Sequence, residues 1–116
     1  AGHPADHPTI NAISATVTTL YEVPYGATAI LKSFDICNTA GALRSVRVFL
    51  VPDQGTAGTD NALLYDTPIP APSSSDPVKY GIFGWEGEQV LETGATIQIK
   101  ADNTGCTITA SGVEIT

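Results

Sequence analysis

The sequence contains no methionine, one tryptophan, two cysteines and two histidines in 116 residues, with five lysines and arginines against twelve aspartates and glutamates. Each shortage excludes something. The two cysteines, Cys37 and Cys106, sit in strand-like segments with no histidine nearby, so the spacing of a zinc site is absent. A disulfide between them would need Cα atoms within about 7 Å, and small buried hydrophobe is the expected role for both. The histidines, His3 and His7, fall in the opening segment, outside any element that could hold a base beside a nucleophile, and no G-x-S-x-G elbow occurs. A net charge of −7, with Lys32, Arg44, Arg47, Lys79 and Lys100 scattered, opposes contact with a phosphate backbone. No apolar run approaches the ~20 residues of a membrane-spanning helix. The expectation is a soluble, non-catalytic chain without nucleic-acid or membrane partners, cofactor or bound metal.

What is present is strand grammar. The stretch Tyr21 to Pro52 reads as two long strands joined by a Gly-containing turn, an antiparallel hairpin around which the rest is organised. Ile30, Phe34 and Ile36 share one parity, and Val46, Val48 and Leu50 share another, so each strand has one apolar face. Val23-Pro24-Tyr25-Gly26 is a turn signal, with proline fixing φ and glycine supplying a left-handed position. Further strands are expected from Ser14 to Glu22, Asn61 to Ile69, Val78 to Trp85, Gln89 to Leu91, Thr96 to Ala101, and from Cys106 onward, with Asp102 to Gly105 as a second hairpin turn. About eight strands and no helical pattern predict an all-β sandwich, jelly-roll-like, with an immunoglobulin-like sandwich as the alternative. The expected core is Ile30, Phe34, Ile36, Val46, Val48, Leu50, Ile97, Ile99 and Ile108.

Residues 1–12 read as an extended arm and residues 13–116 as the sandwich domain; the opening AGHPADHP has two prolines and no apolar periodicity. Ala1-Gly2-His3 has the pattern that wraps copper(II) or nickel(II) when the terminal amine is free, with a plain tether as the competing reading. Asp53 to Asp60 is a long polar loop without the ligand spacing of an EF-hand. Glu86 and Glu88 would share one face of a strand next to Trp85, in the manner of a sugar-stacking site, but Gly84 and Gly87, which bracket Trp85 and Glu86, favour a solvated acidic loop with a partly buried tryptophan. Residues singled out for interaction are His3, Pro4, His7 and Pro8 of the arm, and Trp85.

The run Y-x-V-P-x-G-x-T-A-I-L-K-S, the Asn38-Thr39-x-Gly41 turn, V-x-V-F-L-V-P over Val46 to Pro52, L-E-T-G-A-T-I over Leu91 to Ile97 and A-S-G-V-E-I over Ala110 to Ile115 together resemble a class of small β-sandwich virion proteins of tailed bacteriophages. That resemblance implies a structural component of the particle, of which some decorate or cement the capsid shell as trimers and others are tail or fibre modules. It implies the major capsid protein of a phage head as partner, a homotrimer, a place on the virion surface and assembly in the host cytoplasm. It brings no catalytic residues. The competing class is a glycan-binding module in which Trp85, Tyr65 or Tyr80 would be exposed stacking platforms.

Overall fold

The computed structural model describes residues 5–6, 9–71 and 81–116, with side chains from Ala12 onward. Nine strands are described: β1 (Ala5–Asp6), β2 (Thr9–Ile13), β3 (Thr18–Glu22), β4 (Thr28–Asn38), β5 (Arg44–Val51), β6 (Ala62–Ile69), β7 (Ile82–Leu91), β8 (Thr96–Ala101) and β9 (Cys106–Ile115). The only helical piece among these residues is a 3-10 turn, Thr59–Asn61. One sheet runs β1-β9-β4-β7 with β2 also on β9; the other runs β3-β8-β5-β6. The antiparallel pairs β2·β9, β3·β8, β4·β7 and β5·β6 alternate between the sheets. The chain is thus one long hairpin folded over on itself, which is the jelly roll.

That topology overturns the central hairpin. β4 pairs with β7 and β9, whereas β5 pairs with β6 and β8 in the opposite sheet, so residues 39–43 form a crossover. The Asp102–Gly105 turn likewise joins β8 of one sheet to β9 of the other. Alternation fixes which face of a strand is apolar; it does not say whether two such faces lie side by side or opposed. At residues 39–43 the crossover is tied down by Asn38, which is fully buried. Its Nδ2 donates to the carbonyls of Ala42 and Ile69, and its Oδ1 accepts from the Ala40 amide, so every polar atom of the side chain is satisfied.

The core is apolar and mainly aliphatic and lies between the sheets: Phe34, Ile36, Val46, Val48, Ile97, Ile99 and Ile108 are buried there as expected, and Leu50 packs half-buried at its margin. Ile30 is the exception. A bulge between Leu31 and Ser33 inserts an extra residue on β4 against β9, so Ala29 and Leu31 point inward before it and Phe34 and Ile36 after it. The shift of phase turns Ile30 to the outer face. The approach of β9 is so close there that a Cβ on Gly112 would stand 2.3 Å from the Ile30 carbonyl oxygen.

Other boundaries also move. Thr9–Ile13, which runs from the segment read as an arm into the first residue of the domain, forms a continuous ladder with β9 from Thr9↔Ala110 to Ile13↔Cys106. Ile82–Leu91 is one strand, so Glu86 and Glu88 are exposed on a ladder and not in a loop. Gly87 is needed there because a Cβ would meet the Trp85 ring at 2.9 Å. The expected strand start at Val78 lies outside the described residues. Gly26 takes φ 84°, the left-handed position that the Val23–Gly26 turn requires. Both cysteines are free; Cys106 is buried, but Cys37 is exposed on the outer face. Burial pushes the Cys106 thiol pKa up, so this thiol resists ionisation.

Candidate interaction surfaces

Of the residues singled out from the sequence, His3, Pro4, His7 and Pro8 lie outside the described residues. Trp85 is half-buried, and its ring stacks on Phe34 with centroids 5.3 Å apart and planes 13° from parallel. One ring face therefore belongs to the core. Tyr65 is 46% exposed, but the Arg47 guanidinium lies 4.0 Å above its ring. A bulge on β6 produces this arrangement: the β5·β6 register shifts between Val46 and Val48, and Asp66 adopts φ 51°. Asp66 accepts from Arg47 at 2.6 and 3.1 Å, and the ion pair holds its carboxyl below the ordinary range. Both faces that could have stacked a sugar are thus occupied on at least one side. Tyr80 lies outside the described residues.

The remaining exposed large hydrophobics lie at the two ends of the sandwich. Val17, Leu43 and Ile82 sit at the end carrying the 14–17, 39–43 and 102–105 connections. Tyr25, Val90 and Ile115 sit at the end carrying the 23–27, 52–61 and 92–95 connections. This second end is braced. The Val23 amide donates to the Ala95 carbonyl at 2.9 Å, the Gly94 amide to the Val23 carbonyl at 3.1 Å, and the Thr93 hydroxyl to the Ala27 carbonyl at 2.7 Å. Tyr25, at the tip of the braced turn, is 99% exposed.

The same end is acidic. Glu22, Asp53, Asp60 and Glu92 are all exposed there, and its three connections contain no lysine or arginine. Asp53 packs directly on the 92–95 turn: a Cβ on Gly94, whose φ is 83°, would stand 2.5 Å from the Asp53 carboxylate. Between the ends of β5 and β7 this surface opens into a groove of about 310 Å³. Its floor includes Leu50, Leu91 and Ala95, with Asp53, Gln89, Val90 and Glu92 also lining it. It exists because β6 begins at Ala62, opposite Phe49, and leaves Leu50 and Val51 without a β6 partner.

Nearby, the Tyr21 hydroxyl of β3 donates to the Glu114 carboxylate of β9, bridging the two sheets. Burial first, then that bond and the carboxylate's charge, push the phenol well above its ordinary value. The cavity behind the pair holds about 20 Å³, room for one water molecule at most. Among the described residues no three histidines, cysteines, aspartates or glutamates converge as metal ligands. No described helix is long and apolar enough to cross a membrane.

No protein-family model matches the sequence, and no curated protein does. Similarity appears at the level of structure. A chain of the acidic stable capsid structure of Helicobacter pylori bacteriophage KHP30 superposes with a TM-score of 0.55 over 100% of this chain and 94% of its own, at 8% identity. A pentameric capsid protein isolated from metagenomic phage sequences gives 0.41 at 18% identity, over 93% of this chain and 60% of its own. The structure of infectious bursal disease virus Gx strain gives 0.40 at 14% identity, over 97% and 31%. At these identities the first superposition, spanning nearly the whole of both chains, is a likeness of fold, and the fold it shares with this chain is the β-sandwich.

Proposed function

We propose that this chain is a virion structural protein of a bacteriophage, a decoration protein that binds the assembled head shell through the major capsid protein and stabilises it as a homotrimer. The observation carrying this reading is the jelly-roll pairing scheme together with an interior given over to packing. Jelly rolls serve as capsid, lectin and cupin domains, so topology must be joined to the residues. The inner faces here are aliphatic, and the buried polar side chain among the described residues, Asn38, is spent on the crossover. That interior suits a structural role better than a catalytic one. Of the aromatics singled out for a lectin, the two among the described residues, Trp85 and Tyr65, each have one ring face against Phe34 or Arg47.

Decoration acts by mass action: a protein that binds the assembled shell more tightly than its separated subunits lengthens shell lifetime without chemistry. Exposed apolar residues collected at two ends, on a chain of net charge −7, suit attachment by an end. The edge strands β6 and β7 leave ladders for a neighbouring copy, with Pro68 limiting pairing on β6. The test is co-sedimentation of purified protein with shells lacking it, followed by heating. Saturable binding and a raised disruption temperature support the reading. Failure to bind shells, with binding to host polysaccharide instead, would replace it with a glycan-binding module.

A further inference from the structure

We propose that the groove between the ends of β5 and β7 is a docking site for an extended, cationic and apolar segment of a partner protein. Three features on this end of the sandwich point to that chemistry. The floor is apolar, with Leu50, Leu91 and Ala95. The rim is acidic, with Asp53 and Glu92 lining the groove itself, and no basic residue lines it. Asp53 is seated against Gly94 and the 92–95 turn is braced to Val23, so the two carboxylates and the floor form a preformed surface.

The extended conformation follows from the neighbouring edge. β7 ends the first sheet, and β6 stops short of this groove in the second, so a strand entering here can hydrogen-bond to β7 while placing alternate side chains on the floor. Period two is what an apolar floor with a charged rim selects: one side chain inward, the next outward to a carboxylate.

A second copy of this chain does not supply that segment. Two such ends facing each other would juxtapose Glu22, Asp53, Asp60 and Glu92 with their own copies. Of the four basic residues among the described ones, Lys32 is paired with Glu88 and Arg47 with Asp66, Arg44 donates its Nε to the Thr104 carbonyl at 2.7 Å, and Lys100 of β8 lies within electrostatic reach of Asp66; Lys79 lies outside the described residues. No described basic residue is thus left in an extended segment that could enter the groove of another copy, and the segment is assigned to a different protein. This inference is separate from the virion reading, because the groove's chemistry selects the same segment whether or not the partner is a shell subunit.

The experiment uses the full chain, nitrogen-15-labelled, and titrates three short acetylated peptides followed by amide chemical shifts: alternating lysine–valine, lysine–serine and glutamate–valine. The lysine–valine peptide is expected to shift the amides of Asp53, Gln89, Val90, Leu91 and Ala95, and the other two peptides to leave them in place. The double variant Asp53→Asn/Glu92→Gln, at exposed positions, should weaken lysine–valine binding about fivefold. The proposal is overturned if lysine–valine produces no shifts up to about 5 mM, the range of the weakest specific complexes. It is equally overturned if lysine–serine binds as well, or if the shifts map to the outer face around Asp35, Glu86 and Glu88.

Discussion

The carboxamide of Asn38, at the end of β4, donates to the backbone carbonyl of Ile69, at the end of β6, across the space between the two sheets at 2.8 Å. The same side chain fixes the 39–43 crossover through Ala40 and Ala42. Asn38→Ala would leave two carbonyls and one amide to find new partners at a buried site, with an expected loss of about 2–4 kcal/mol. Asn38→Asp should be worse, since a carboxylate would face two carbonyl oxygens. Chemical denaturation of both variants reads this directly.

The bulge between Leu31 and Ser33 yields a paired prediction. Val48 is fully buried and Ile30 points outward, although alternation alone placed both in the core. Val48→Asp should abolish folding, because the carboxylate would be buried between the sheets without a partner. Ile30→Thr should cost less than about 1 kcal/mol. Comparable damage from the two would mean that the phase shift is wrong.

Gly112 tests the same bulge from the other strand. A Cβ there would stand 2.3 Å from the Ile30 carbonyl oxygen, and both partners are backbone, so neither can move without disturbing the ladder. Gly112→Ala is expected to destabilise by about 3 kcal/mol or more, read as a lowered denaturation midpoint. Gly41→Ala, where a Cβ meets nothing within 4 Å, is the control.

The Tyr21–Glu114 bridge sets a pH dependence at the alkaline side. The folded phenol is held above its ordinary value of 10.0, by burial first and then by Glu114. A raised folded pKa means that the unfolded chain loses its proton first as pH rises. The stabilisation is therefore fully present below pH about 10 and is lost progressively above it. Tyr21→Phe should flatten that decline in a plot of unfolding free energy against pH. An unchanged slope would show that Tyr21 is not the responsible group.

The strands were legible in the sequence because nearly all are half-buried, and half-burial writes alternation into Val46, Val48, Ile97 and Ile99. The all-β sandwich class was legible from strand number, strand spacing and the want of helix. Pairing was not. β4 and β5 carry the apolar faces of a hairpin, and what places them in opposite sheets is long-range, their pairing with β7 and β9 on one side and β6 and β8 on the other, with Asn38 bonded to Ile69, 31 residues away. The bulge was hidden for a similar reason, since its cause is the close approach of Gly112 from a distant strand. The groove was invisible because Asp53, Val90 and Glu92 come from separate connections and strand ends, and because it depends on where β6 begins. Trp85 drew notice by residue type, yet its stacking on Phe34 places one of its faces in the core.

Attachment of this sandwich to the head shell of a phage particle is tested most directly by a cryo-electron-microscopy reconstruction of particles carrying it. The account predicts ordered density for the jelly roll in regular, stoichiometric positions on the head shell, in groups of three, with one end of the sandwich against the shell. Purified particles without the protein, or density confined to the tail, would contradict it.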